Sequence, residues 1–257
     1  MACMSNCCEG SMPQQKSMRI LAGNMHFKAL NEQLRASDEE EILIERCLGQ
    51  RYIGDGTSGK RITIDGIPGN ALGAYLNGSH ITVRGNAQDA TGDTMNDGTI
   101  CIHGMAGDAT GYAMRGGSIY IKGNTGYRAG IHMKAYEQKQ PLLVIGGEAG
   151  SFLGEYQAGG TIIVLGLGIE DRPPVGNFCG VGMHGGRIFL RTEHLPPDLS
   201  DRLICRQANK AELADIYPAL EQFSQQFGVK LEEILSKPFH IIRPNSKNPY
   251  KQLYTAN

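Results

Sequence analysis

Two aspartates at equivalent positions of a repeating pattern are the residues most able to do chemistry. Asp89 and Asp108 are 19 residues apart, and the same position elsewhere carries Asn70, Tyr127 and Ser151. If the repeats stack as neighbouring strands, the two carboxylates lie about 5 Å apart. They could then share a proton, hold a cation or act as the acid pair of a glycosidase. Asp and Asn also accept hydrogen bonds from turn backbones, and we favour that structural interpretation.

Three of the seven cysteines, Cys3, Cys7 and Cys8, lie close together near the start of the chain. Thiolates at such spacing can ligate zinc or an iron–sulfur cluster, but no second cysteine pair at ligand spacing follows. An odd number of cysteines is also a poor disulfide framework. We therefore expect residues 1–18 to be a disordered, cysteine-containing leader. A small metal protein using this cluster is the alternative.

The stretch from Gly180 to Gly185 matches G-x-G-x-x-G. A dinucleotide site needs this pattern between a strand and the start of a long helix. Here another strand pattern follows, ending at Leu190, so we interpret these glycines as turn residues. The serine-hydrolase pattern G-x-S-x-G does not occur. These motifs give no catalytic, cofactor-binding or metal-ligating residue to this chain.

The elements that position these residues come from a 19-residue repeat. Its glycines are Gly66, Gly85, Gly104 and Gly123, then Gly147 and Gly166 after a five-residue insertion. Alternating apolar residues precede each glycine, as at Ile100 and Ile102, which indicates a strand with one buried face. A second glycine follows seven residues on, and an apolar residue ten residues on: Leu76, Met95, Met114 and Met133. Such a short period is typical of one coil of a solenoid.

We therefore predict an all-β fold, a right-handed single-stranded parallel β-helix of about seven coils. Short capping helices are expected at the N-terminal end, near 27–36, and at the C-terminal end, near 207–226 and 229–236. The predicted regions are the leader, 1–18, the β-helix with its first cap, 19–195, and a C-terminal helical cap with an extended tail, 196–257. Glycines such as Gly104 and Gly111 are expected at positive φ in the corners.

Composition excludes some classes of function. The formal net charge is −1 at pH 7, which gives no electrostatic reason to expect nucleic acid or an anionic membrane as a partner. No apolar run approaches the length of a membrane span, and the N-terminal residues lack the apolar stretch of a secretory signal. We therefore expect a cytoplasmic protein.

Several segments resemble one known domain in order and spacing. They include GTICIHGMAGDATGYAMRGG at 98–117, VIGGEAGSFLGEYQAGGTIIVLGL at 144–167 and GVGMHGGRIFLRTEH at 180–194. These segments are similar to the C-terminal glycine-rich β-helix domain of the glutamate synthase large subunit. The resemblance extends from about Arg19 to near the end of the chain. Related β-helices occur in one of the subunits of formylmethanofuran dehydrogenase and in methylglutamate-type synthases.

The resemblance implies a non-catalytic scaffold subunit of a multi-subunit glutamate synthase-like complex, which moves the glutamine amide to 2-oxoglutarate. The implied partners are a glutaminase-type amidotransferase subunit and a synthase subunit that carries FMN and an iron–sulfur cluster. No cofactor is expected in this chain, and homo-oligomers are compatible with the pattern. A β-helix subunit of a formylmethanofuran dehydrogenase- or methylglutamate synthase-type complex is the first alternative. An independent small enzyme acting through Asp89 and Asp108, or a metal protein, is the second.

Two interruptions of the repeat predict where partners bind, because insertions in repeat arrays project as loops. They lie between His132 and Pro141 and between Leu167 and Gly180. The predicted interface residues are Arg128, His132, Lys134, Tyr136, Glu137 and Lys139 at the first interruption and Glu170, Asp171 and Arg172 at the second.

Overall fold

Alternating apolar residues build the strands of the structure, a computed structural model that describes residues 17–245. The strands are β1 (Ser17–Leu21), β2 (Glu41–Leu48), β3 (Arg61–Ile67), β4 (Asn77–Val83), β5 (Asp97–Ile102), β6 (Ser118–Ile121), β7 (Leu142–Ile145), β8 (Ala158–Val164), β9 (Gly185–Arg191), β10 (Leu203–Gln207) and β11 (Phe239–Pro244). The helices are α1 (Phe27–Ala36), α2 (Lys210–Phe227) and α3 (Leu231–Ile234). Strands β1 to β9 stack in parallel and in chain order, so the predicted parallel β-helix is confirmed.

The inward column of each strand forms the core, as predicted. Ile100 lies between Ile81 and Ile119 in register, and each of the three is at most 1% exposed. Burying one such side chain contributes roughly 1.5–3 kcal/mol. The column from Leu76 to Met133 is buried too, and Gln157 continues it as a fully buried polar residue. Its Nε2 donates to two backbone carbonyls, which offsets part of the cost of burying the amide, whereas its Oε1 has no hydrogen-bond partner among the described residues.

The first coil begins earlier than the sequence predicts. Strand β1 starts at Ser17 and pairs with β2, so the last two residues of the predicted leader belong to the β-helix. A register shift between Ile44 and Cys47 interrupts the regular pairing of β2 with β3. The cysteines of the predicted leader and the predicted extended tail from residue 246 onward lie outside the described residues.

Helix α1 caps the first coil, as its apolar spacing predicts. Leu30 and Leu34 are buried in the same core cluster as Ile20 and Ile42. The side-chain amide of Asn31 donates to the carbonyl of Arg51 at 2.9 Å, which ties the helix to the following coil.

Helix α2 occupies a different place from the terminal cap that the sequence suggests. It lies across the outer face of the strands, where Phe223 and Phe227 pack in one cluster with Tyr120 and Phe189. Tyr217 of α2 is exposed. Helix α2 packs there because the outward-facing side chains of β5 to β9 are apolar and would otherwise be exposed to solvent. These side chains are Cys101, Tyr120, Val144, Ile163 and Phe189.

An antiparallel pair of strands continues the sheet beyond its last parallel strand. Strand β11 pairs with β9, and β10 forms the outer edge. Buried Arg191 fastens the connecting segment, because its guanidinium donates to the carbonyls of Leu165, Glu233 and Ile234 at 2.7–3.0 Å. Burial lowers the pKa of Arg191.

The corner glycines follow two physical rules rather than the single rule expected. Gly111 has the predicted positive φ, +73°. Gly104 has not: a Cβ there would collide with Asn86 Oδ1 and lie 2.8 Å from the carbonyl oxygen of Gly85. The Gly104 position therefore requires glycine because backbones of successive coils approach closely, and the expected positive φ at Gly104 is wrong.

Candidate partner interface

One side of the β-helix is built from turns in which non-glycine residues adopt the left-handed conformation. Two columns of such residues run along it. Their backbone N–H groups donate to carbonyls of the next coil, except at Phe178, whose N–H donates to Asp198 Oδ2. The first column is Tyr52, Ala71, Ala90, Ala109, Arg128, Phe152 and Phe178. The second is Tyr75, Thr94, Ala113, His132 and Tyr156, with Gly56 and Gly182 at its ends. We call these two columns, with the residue directly before each member, the turn face.

The left-handed conformation of the residues on the turn face destabilises each of these turns. A left-handed conformation costs about 1–2 kcal/mol for an L-residue with a Cβ. In the first column the middle coils carry alanine, whereas later coils carry Arg128, Phe152 and Phe178. Backbone strain of this kind persists where surrounding structure holds it and is concentrated at functional positions. The late coils of the turn face are therefore the first candidate surface.

Arg128 is held rigidly on this surface. Its Nε donates to Glu155 Oε2 at 2.7 Å, and Glu155 itself is buried. The guanidinium carbon lies 4.7 Å from the ring centroid of Tyr127 and 5.4 Å from that of Phe152. Cation–π contacts and an ion pair thus fix an arginine that remains partly exposed. Arginine presented in this way is typical of interface anchors.

The second column continues the aromatic surface. The His132 ring stacks on Tyr156 with centroids 5.3 Å apart, and Tyr112 contacts His132 edge-on at 5.9 Å. In the first column the rings of Phe152 and Phe178 lie 4.9 Å apart. Aromatic rings at these separations stabilise each other beyond simple area burial. Two predicted residues, Arg128 and His132, therefore belong to an aromatic surface that the sequence alone did not predict.

A signal for that surface exists in the repeat itself. Aligning the coils by their glycines places Phe152 and Phe178 at the position where three earlier coils have alanine. Alanine is sufficient at this turn position for the coils to stack. A bulky residue there therefore indicates an outward side chain with a role other than the stacking of coils.

The two aspartates act as backbone acceptors. Asp89 Oδ1 accepts from the N–H of Asp108 at 2.9 Å, and Asp108 Oδ1 accepts from the N–H of Tyr127 at 2.7 Å. Asn86 and Asn124 make equivalent bonds to Met105 and Glu148. The structural interpretation of these side chains is confirmed, because each one joins its coil to the next.

The first insertion forms a small hairpin against an earlier coil. Tyr136 and Lys139 exchange backbone hydrogen bonds, and Lys139 Nζ donates to Asp97 Oδ2 at 2.8 Å. The exposed side chains of Lys134, Tyr136 and Glu137 lie on or beside this hairpin. The hairpin leads directly into β7, so it lies at the corner where the strands begin.

The second insertion lies at the opposite corner, after β8. Lys237 Nζ donates to Glu170 Oε2 at 2.8 Å, which ties the loop to the C-terminal segment. Arg172 forms an ion pair with Glu148, and Asp171 is exposed. The structure thus separates the nine predicted residues into three groups, one on the turn face and one in each of the two loops.

Burial raises the pKa of the thiols in the described part of the chain. Desolvation raises the pKa of Cys47 and of Cys101 to about 11 and that of Cys179 to about 12. All three are buried and free, so they remain protonated and weakly nucleophilic at neutral pH. The same effect raises the pKa of Tyr120 to about 12 beneath α2.

Metal ligands and membrane spans can be assessed for residues 17–245. No three His, Cys, Asp or Glu side chains in that range converge as ligands for a metal ion. None of the helices in that range is sufficiently long and apolar to cross a membrane.

Comparisons with known proteins identify a family, a relative and a fold. The model of the family described as GXGXG motif matches residues 41–245. An uncharacterized protein of Methanocaldococcus jannaschii is 41% identical over 259 residues, covering 96% of this chain and 99% of the relative. A chain in the crystal structure of the formyltransferase/hydrolase complex from Methylorubrum extorquens, with methylofuran, has a TM-score of 0.61. That chain is 21% identical, and the match covers 90% of this chain and 91% of that one.

Proposed function

The chain belongs to the GXGXG motif family, and from that premise we propose that it is the non-catalytic scaffold subunit of a multi-subunit, glutamate synthase-like complex. The complex transfers the amide nitrogen of glutamine to 2-oxoglutarate in the cytoplasm. A glutaminase-type amidotransferase subunit and a synthase subunit holding FMN and an iron–sulfur cluster are its partners. This chain binds both and holds them in a fixed relative position.

The observation that carries the proposal is a whole-chain match to one chain of a multi-subunit complex. The match covers nine-tenths of each chain, which supports a role for this β-helix as one subunit of a larger assembly. Much of its polar side-chain chemistry is committed to stacking coils, as at Asp89, Asp108 and Asn86. A rigid rod with projecting loops suits positioning of partners better than turnover.

The neighbour's own complex is described as a formyltransferase/hydrolase. A formylmethanofuran dehydrogenase-type complex is therefore the second candidate, since one β-helix can serve either assembly. The identity of the co-purifying subunits decides between the two.

We assign the docking of partners to the two insertions. The first presents Lys134, Tyr136 and Glu137 on a hairpin that Lys139 fastens to Asp97. The second presents Asp171 beside Glu170 and Arg172, which are held by ion pairs. Loops fixed at their bases lose little conformational entropy on binding. Because they lie at opposite corners, each loop can engage a different partner.

Co-purification tests this assignment. The full chain carries an affinity tag and is co-expressed with glutaminase-type and FMN/iron–sulfur subunits of its own organism. We expect both to be retained, and shortening residues 135–140 to remove one of them without changing the β-sheet circular dichroism. Tyr217→Ser, on exposed α2 surface, is the matched control and should retain both. Loss of neither partner from the shortened variant contradicts the docking site, and retention of neither partner by the unaltered chain contradicts the function.

A further inference from the structure

The turn face has a two-fold pattern along its length. In the second column, reading outward from the central Ala113, Thr94 matches His132, Tyr75 matches Tyr156, and a glycine ends the column on each side. In the first column, reading outward from Ala109, an aromatic residue likewise stands at each end, Tyr52 and Phe178. Tyr112 lies at the centre of the face, in the same coil as Ala109 and Ala113.

Charge on the face is distributed about the same centre. The coil before the centre carries Asp89 and Asp93, and the coil after it carries Arg128 and His132. Asp89 lies beside Ala90, which the two-fold pattern matches with Arg128. Asp93 lies beside Thr94, which the pattern matches with His132. Asp89 is therefore related to a guanidinium and Asp93 to an imidazole that can donate a hydrogen bond, while exposed Asp108 lies at the centre itself.

We propose that the turn face binds a second copy of this chain, antiparallel to the first, about a two-fold axis that passes near Tyr112. Such an axis lies at right angles to the β-helix and within the plane of contact between the two turn faces. It brings each column against the same column of the other copy, running in the opposite direction. An isologous contact of this kind requires a surface complementary to itself, and the pattern of the face provides one.

The contacts that result are specific. Tyr75 of each copy meets Tyr156 of the other, Tyr52 meets Phe178, and the two Tyr112 rings meet at the axis. Arg128 and His132 of one copy face Asp89 and Asp93 of the other. The fixed guanidinium of Arg128, stacked on two rings and paired with buried Glu155, enters this contact already ordered, which limits the entropic cost of association.

Exposure of the aromatic residues favours this occupant. Tyr52, Tyr75, Tyr112, Tyr156 and Phe178 are each between 39% and 57% exposed. They are spread over seven stacked coils, a length of roughly 29 Å at about 4.8 Å per coil. A stable protein interface buries about 800 Å² on each partner, and a face of this length in two columns is suited to that size. A second copy covers aromatic residues at both ends of the face simultaneously.

The mass of the purified full chain in solution tests the proposal. Sedimentation equilibrium should give twice the chain mass of 27.8 kDa. Tyr75→Asp should give the single-chain mass, because it places a charge against Tyr156 of the other copy, and Asp tolerates the left-handed conformation at that position. Tyr136→Asp, equally exposed but outside the turn face, should leave the dimer intact.

A charge exchange tests the antiparallel pairing itself. Asp93→Lys should weaken dimerisation at least tenfold, and combining it with His132→Asp should restore most of that loss. A Tyr112→Cys variant, with Cys3, Cys7 and Cys8 changed to serine, should form a disulfide-linked dimer under mild oxidation, whereas the matched Tyr136→Cys variant should not. A single-chain mass for the unaltered protein, or a dimer indifferent to Tyr75→Asp, would overturn the proposal. Either result can occur while partner subunits still co-purify, so it leaves the proposed function standing.

Discussion

Two glycines of one coil, Gly104 and Gly111, separate the effects of close packing and backbone conformation. Gly104→Ala introduces a Cβ that collides with Asn86 Oδ1, the acceptor of the Met105 N–H. In Gly111→Ala the added Cβ has no atom closer than 3.7 Å, so the only destabilisation comes from the positive φ at that position. We expect a loss of about 2–4 kcal/mol in unfolding free energy for Gly104→Ala and about 1 kcal/mol for Gly111→Ala.

Urea denaturation of the two variants and of the unaltered protein measures this difference. Equal losses at the two glycines would show that backbone conformation governs both positions. The sequence predicted a positive φ at both glycines, which is right at Gly111 and wrong at Gly104, since periodicity locates a residue without giving its φ or the distance to the next coil.

Helix α2 depends on a capping box at its start. Asn209 Oδ1 accepts from the N–H of Glu212, and Glu212 Oε2 accepts from the N–H of Asn209, both at 2.9 Å. Arg206 also pairs with Glu212, and the two interactions, the Arg206 hydrogen bond first, lower the pKa of Glu212 from 4.5 to about 2. A lowered carboxylate pKa stabilises the folded state above pH 4.5, and that contribution is lost as the pH falls toward 2.

Glu212→Gln should therefore be less stable than the unaltered protein at pH 7 by about 1 kcal/mol, the typical worth of a helix cap. The gap should narrow as the pH falls from 4.5 toward 2, because the unaltered protein alone loses the ion pair. Urea midpoints at a series of pH values measure it. A gap of constant size across that range would show that the charge of Glu212 contributes nothing.

The sequence pattern predicts that helix α2 exists but not where it packs. Its existence followed from apolar spacing, but its docking site depended on a change in the outward strand column, from Thr63 and Thr82 to Tyr120, Val144 and Phe189. That change is visible only after the strands are in register. Strand β11 was not predicted either, because antiparallel closure depends on residues distant in sequence.

Across the whole molecule, the repeat predicted the stacking order and the buried columns, since both follow from period and register. The repeat predicted only part of the candidate partner interface. The nine predicted residues fall in three places, and the aromatic surface around Arg128 emerged only when left-handed turns aligned Phe152 and Phe178 in one column. Outward side chains are free of core packing constraints, so periodicity alone does not say which of them act together.

Reconstitution of activity tests the central claim, that the chain is a scaffold for catalytic partners, most directly. The glutaminase-type and FMN/iron–sulfur subunits are assayed for glutamine-dependent glutamate formation with and without this chain, and the chain is assayed alone. We predict no turnover by the chain alone and at least a tenfold increase in coupled glutamate formation when it joins the two partners. Turnover by the isolated chain, or full coupling of the partners in its absence, would contradict the claim.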